Sequence, residues 1–188
     1  MARIPYVAPE TAPEAVRELF GKMEAGGASV LNLWRMAAHA PVAMPHLLRL
    51  GSALLTKTSL EAMLRELAIV RVAEIYNCEY ERQAHTAWLR SLGMAAEKIA
   101  AIRCWEESEL FSPDERTVLR YTDELSREGR VSDDCFLEAE KLLGHQGAME
   151  LAVTAGYYGM LARLLLNFEV DMESGGIGSP EDIVGRRP

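Results

Sequence analysis

What the sequence lacks narrows it first. Only three of its 188 residues are cysteine (Cys78, Cys104 and Cys135), at unrelated spacings. They make no disulfide framework, and so few thiols predict a reducing, cytoplasmic setting. The opening MARIPYVAPETAPE lacks the apolar stretch of a secretory leader. No block of Lys and Arg offsets the formal net charge of −8, which argues against a nucleic-acid partner. There is no Gly-rich phosphate loop, nucleophile elbow or dinucleotide fingerprint, so no cofactor is predicted. Val-rich alternation is absent, and with it any predicted strand. Internal repeats and low-complexity tracts are missing too.

What is present is helical. Apolar residues make up 49% and charged residues 26% of the chain, an ordinary balance for a soluble globular protein. The length predicts a single domain over residues 1–188, with an extended, flexible arm over about 1–9 and a flexible tail over about 173–188. Helix stops recur at Gly26-Gly27, Pro41, Gly93, Gly129 and Gly144. About eight helices joined by short connections follow. Ser112-Pro113-Asp114-Glu115 reads as a strong helix start. The apolar run from Gly147 to Val170 contains Glu150 and Arg163 and reads as a buried central helix, not a membrane span.

The stretch TSLEAMLRELAIVRVAEIYNCEYERQAHTAWLRS, residues 58–91, reads as two consecutive helices. A capping box over Thr58-Ser59-Leu60-Glu61 would open the first, and Asn77 would cap the second. Cys78, Glu81 and His85 then share one helical stripe, with Cys78 in a first turn whose dipole favours a thiolate. Glu81 and His85 form an i, i+4 pair in which a carboxylate can orient an imidazole. Glu66 lies just ahead of the apolar run LAIVRVA, where a carboxylate is paired or neutral; Arg65, Arg71 and Arg163 are its candidate partners. Four chemically capable side chains can therefore converge.

The spacing of these four residues resembles the signature of the carboxymuconolactone decarboxylase and alkylhydroperoxidase D-like superfamily. That signature is Glu, eleven residues, Cys, two, Cys, three, His. Glu66, Cys78 and His85 match, and Glu81 stands where the second cysteine would be. RELAIVRVA, NCEYE and NLWRMAAHAP are similar to a longer-chain branch in which Tyr-Glu replaces that cysteine. The resemblance implies an all-α bundle and a homo-oligomer. It also implies that Glu66, Cys78, Glu81 and His85 are catalytic, and that the NLWRMAAHAP segment lines the site. A Cys-x-x-Cys disulfide cannot form here.

Three functional readings follow. In the first, Cys78 is the redox thiol of a peroxidase-like enzyme with Glu66, Glu81 and His85 as its proton relay, rescued by an outside thiol reductant. The second is a non-redox decarboxylase or isomerase of a small lactone or oxo-acid, with Glu81 and His85 as acid and base. The third keeps the scaffold as an oligomeric binding protein without turnover. The substrate is a hydroperoxide in the first and a lactone or oxo-acid in the second; no membrane partner and no resident metal are predicted. Among the remaining residues, His39 and His46 are candidate pocket residues and His145 a candidate cap. Cys104 and Cys135 are expected in the core, as are Tyr76, Tyr80 and Trp88, which could instead lie at an interface.

Overall fold

The computed structural model describes residues 1–176, and residues 177–188 of the expected tail lie outside that range. The described residues are all-α, with eight helices and no strand. These are α1 (Glu14–Ala25), α2 (Asn32–Ala37), α3 (Met44–Thr56), α4 (Ala62–Tyr76), α5 (Glu79–Ser91), α6 (Ala96–Ala101), α7 (Pro113–Glu128) and α8 (Asp133–Asn167). A 3-10 segment, Ile102–Glu107, continues from α6. At Gly144 the backbone leaves helical geometry (φ 67°, ψ 175°), so α8 is two helical runs joined by a kink where the sequence places a stop.

α4 is the axis of the bundle. Every residue from Arg65 to Ala73 is buried, so this helix is enclosed on all sides and packs against α5, α7 and α8. Its apolar side chains enter three separate parts of the core. Ile69 and Val72 face α1–α3 and α8, Leu67 and Val70 face α5–α7, and Ala68 faces α7 and α8. A helix with apolar residues all round can be stable only when covered all round, which is why LAIVRVA lies at the centre.

The helix starts distribute differently from the sequence reading. The capping box expected over Thr58–Glu61 does not form. The Ser59 hydroxyl and the Ser59 and Leu60 N–H groups all donate to the Glu150 carboxylate of α8, and Glu61 precedes the first residue of α4. A distant carboxylate accepting three bonds outcompetes a local one. The capping box is at Ser112, where its hydroxyl accepts from the Glu115 N–H and the Glu115 carboxylate accepts from the Ser112 N–H. Asn77 is not the cap of α5 either; it closes α4 in the left-handed conformation (φ 53°, ψ 41°). Asn tolerates that region better than most residues, so the same residue type served the opposite end of a helix.

Both ends of the described range carry contacts. The Arg3 N–H donates to the Phe168 carbonyl and the Val7 N–H to the Arg35 carbonyl. The Tyr6 hydroxyl donates to Asp171 Oδ2 at 2.9 Å and accepts from the Asp171 N–H at 2.7 Å. Glu173 Oε1 accepts from the Asn32 N–H at 2.7 Å and from the Tyr80 hydroxyl. This segment thus ties the start of α2 to α5. No described helix is long and apolar enough to cross a membrane.

Candidate active site

The left-handed turn at Asn77 lets α5 fold back along α4, and this brings Glu66 and His85 together across 19 positions. The His85 Nδ1–H donates to Glu66 Oε2 at 2.6 Å. The Arg65 Nε–H donates to the other Glu66 oxygen at 3.2 Å, so of the three candidate arginines it is the neighbour that pairs. Arg71 turns to Asp123, and Arg163 bonds the Tyr76 hydroxyl. On its other side, His85 Nε2 lies 3.4 Å from Glu81 Oε2. The imidazole is therefore held between two carboxylates, and Glu66, Glu81 and His85 are all buried. With Arg65 the four charges balance, as a buried cluster requires.

Burial by itself disfavours a charged imidazole. The charge and hydrogen bond of Glu66, joined by those of Glu81, outweigh it and push His85 up to about 9. His85 is thus drawn toward its charged form, with Nδ1–H donating to Glu66 and Nε2 within ion-pair distance of Glu81. No group of three His, Cys, Asp or Glu suited to a metal occurs among the described residues.

This pairing has a consequence for stability. An unfolded histidine titrates near about 6.5. A folded value raised to about 9 gives stabilisation that is complete below about pH 6.5, declines as pH rises and is lost above about pH 9. Urea unfolding across that interval should show wild type losing more stability than His85→Gln. Parallel profiles would remove His85 as the cause.

Cys78 is placed differently. It precedes α5 as its N-cap residue, with extended backbone (φ −93°, ψ 96°), and its side chain makes no capping bond. It is 2% exposed and packs within the apolar core. Burial pushes its thiol up to about 11; the Glu81 carboxylate adds to this, and the N–H groups of Glu81 and Tyr80 only partly oppose it. The helix-start effect expected to favour a thiolate is thus outweighed by desolvation.

Next to the cluster is a cavity of about 260 Å³. Its walls include Leu33 and Trp34 of α2, Leu55 of α3, and Tyr157 and Tyr158 of α8, with Glu81 and His85 on the α5 side. Cys78 is not among the lining residues, and neither are His39 and His46, which are exposed on the surface. His39 sits beside the Pro5 carbonyl, and His46 beside Arg49. His145 is exposed and pairs with Glu140 rather than capping a helix. Cys135 is buried as expected, but Cys104 is exposed. The 3-10 segment carries it outward while Trp105 turns in.

The tyrosines of α8 were not legible as site residues. Tyr158 meets the His85 ring edge-on, with centroids 4.8 Å apart, and Trp88 stacks on it at 6.1 Å. Tyr157 reaches past Gly51 to donate to the Leu47 carbonyl at 2.9 Å. A methyl group at residue 51 would collide with that hydroxyl. Gly51→Ala should therefore cost about 1–3 kcal/mol of stability by overpacking, read as a lower urea midpoint. An unchanged midpoint would show that the ring can move aside.

Residues 41–124 match the model of the Carboxymuconolactone decarboxylase family. The protein YdfG of Bacillus subtilis (strain 168) is 26% identical over 82 residues, which are 43% of this chain and 56% of that protein. The chain thus matches just over half the length of that curated relative. Among solved structures, an uncharacterized peroxidase-related protein with an alkylhydroperoxidase AhpD core, from Ralstonia eutropha, superimposes with a TM-score of 0.77 at 18% identity, covering 95% of this chain and 97% of that one. The debrominase Bmp8, as a cysteine-to-alanine variant holding 2,3,4-tribromopyrrole, gives 0.76 at 14% identity, covering 97% and 100%. At these identities the structural likeness is one of fold. The matched segment is 84 of the 188 residues, so the likeness to the Carboxymuconolactone decarboxylase family covers just under half of this chain, and the likeness to the alkylhydroperoxidase AhpD-core protein extends over its fold.

Proposed function

We propose that this chain is an enzyme that moves a proton on a small lactone or oxo-acid, with Glu81 as the base. One observation carries this reading. Glu81 lines an apolar cavity with one oxygen engaged by His85 and the other, Oε1, without a hydrogen-bond partner, while the only nearby thiol lies outside that cavity. In the proposed step Glu81 takes a proton from carbon next to a carbonyl, where dry surroundings strengthen the electrostatics of transfer. The His85 imidazolium holds the carboxylate in place, and Glu66 fixes the imidazole through Nδ1. Lys22 and Arg49 also line the cavity, whose sole acidic lining residue among the described residues is Glu81, and this suits a substrate bearing a carboxylate. That a protein of the same fold holds a small ring, tribromopyrrole, also supports a compact cyclic substrate.

The test is deuterium incorporation at the α-carbon of α-angelica lactone and of 2-oxobutyrate, followed by NMR in heavy water. Incorporation above the buffer rate, retained in Cys78→Ser, is the expected result. No incorporation in either compound would overturn the reading.

A second reading, thiol peroxidase, is favoured by the backbone N–H groups of Tyr80 and Glu81 that oppose the rise in the Cys78 pKa, and by the descriptions of structural relatives as peroxidase-related. Its step is attack of the Cys78 thiolate on the O–O bond, releasing an alcohol and leaving a sulfenic acid that an added dithiol reduces back. Burial and the raised pKa predict the opposite behaviour. Iodoacetamide at about pH 8 should label exposed Cys104 and leave Cys78 and Cys135 largely unmodified in the native protein. Rapid labelling of Cys78, with dithiol-dependent peroxide consumption lost in Cys78→Ser, would favour the thiol over the carboxylate.

A further inference from the structure

Two side-chain atoms buried in the described interior have no hydrogen-bond partner: Glu81 Oε1 and the indole Nε1 of Trp34. One is an acceptor and the other can only donate. Their residues are 4% and 5% exposed and line the same cavity, although they come from α5 and α2. Two other polar groups of the wall do have partners. The Tyr80 hydroxyl is bonded to Glu173 and the Tyr157 hydroxyl to the Leu47 carbonyl. Leaving a buried donor and acceptor open is costly, and such pairs persist where something else completes them.

We propose that Trp34 is a substrate-binding residue, and that the ligand is a small ring presenting a carbonyl-type oxygen to the Trp34 N–H and an acidic hydrogen to Glu81. The size of the ligand follows from the cavity. At about 260 Å³ it is smaller than the sites that hold drug-sized compounds, which suits a single ring with few substituents. Apolar neighbours such as Leu33, Leu55 and Leu161 complement the ring itself. The Glu81 half of this assignment rests on the acid–base reading above; the Trp34 half does not.

The two contacts are chemically complementary in the proposed reaction. As Glu81 Oε1 takes a proton from the carbon beside the carbonyl, the electron pair of the broken C–H bond moves into the ring and negative charge gathers on the carbonyl oxygen. A hydrogen-bond donor at that oxygen stabilises the charge where it develops. Glu81 then returns the proton to carbon, at the original or a conjugated position, so that no oxidant or reductant is consumed. Trp34 would account for the orientation of the ring, and Glu81 for the proton.

The probes are three compounds of similar size added to nitrogen-15-labelled full-length protein. These are 2-piperidone, which has a ring carbonyl and N–H, cyclohexanone, which has the carbonyl alone, and methylenecyclohexane, which has neither. The indole N–H resonance of Trp34 is assigned in the wild type through its neighbours, so the measurement does not depend on a variant folding. Both carbonyl probes should shift it saturably, and 2-piperidone should bind about fivefold or more tightly than methylenecyclohexane. Trp34→Phe, shown to be folded by circular dichroism, should bind 2-piperidone more weakly and keep only the part of that preference that the ligand's N–H contact to Glu81 supplies.

An unmoved Trp34 indole, equal binding of 2-piperidone by Trp34→Phe, or no binding of any probe at millimolar concentration overturns the assignment; a bound water alone would then satisfy the two atoms. Saturable binding through Trp34 without deuterium exchange of any lactone or oxo-acid would uphold the ligand assignment and overturn the acid–base reading instead.

Discussion

Glu81→Gln should slow α-proton exchange by about 10²–10⁴-fold while the protein remains folded. The amide matches the carboxylate in shape and still offers an oxygen to His85, so the packing around α5 is preserved. What it loses is basicity, and general-base catalysis falls with it. The variant also removes one of the two negative charges that raise the His85 pKa. The activity that remains should therefore show its alkaline limb at lower pH than wild type. Glu66→Gln should act at one remove, through the orientation of His85, and lose less. Cys78→Ser should stay near the wild-type rate. These rates can be read from the same NMR time courses at matched protein concentration. A Glu81→Gln protein that exchanges as fast as wild type would rule out Glu81 as the base, whatever the peroxide assays give.

Asp123→Ala should be the most destabilising single change outside the site, at about 3–5 kcal/mol. Asp123 holds the buried guanidinium of Arg71 in a two-pronged pair, with Nη2 at 2.8 Å from Oδ2. It also accepts from the Trp105 indole at 3.1 Å. Arg71 Nη1 donates to the carbonyls of Ile102 and Arg103 at 3.0 and 2.8 Å. One ion pair thus ties α4, α7 and the 3-10 segment together inside the core. Removing the carboxylate leaves a buried cation and an indole N–H unmatched, and that desolvation penalty, more than the attraction lost, sets the size of the effect. Asp123→Asn keeps the shape and one acceptor and should fall between wild type and Asp123→Ala. Urea unfolding monitored by circular dichroism measures both. A loss below about 1 kcal/mol for Asp123→Ala would mean that water reaches Arg71 and the pair is not a dry one.

The sequence was most informative where the signal was local and repeated. Helix stops at Gly26-Gly27, Gly93 and Gly129, the start at Ser112, and the apolar all-round run of α4 all express short-range backbone preferences or periodic patterns, and they suffice for an all-α bundle of about eight helices. Local chemistry was less decisive where two distant groups compete for one partner. Ser59 turned from its own helix start to Glu150, and Asn77 closed α4 instead of opening α5. Both side chains kept the kind of contact their chemistry favours, but with a different end or a different helix.

The candidate site divides along the same line. That Glu66, Cys78, Glu81 and His85 could lie near one another was already fixed by their spacing on two consecutive helices. Which of them meet was decided only when α4 and α5 folded back on each other between α2, α3 and α8. That packing clamps His85 between Glu66 and Glu81, dries Cys78 and raises its pKa, and leaves Glu81 on a cavity wall shared with Trp34, Tyr157 and Tyr158. Trp34 and Tyr158 lie about fifty residues before and more than seventy after His85. Spacing along a helix prescribes a stripe; burial, charge balance and the walls of a cavity depend on what the rest of the chain places against it.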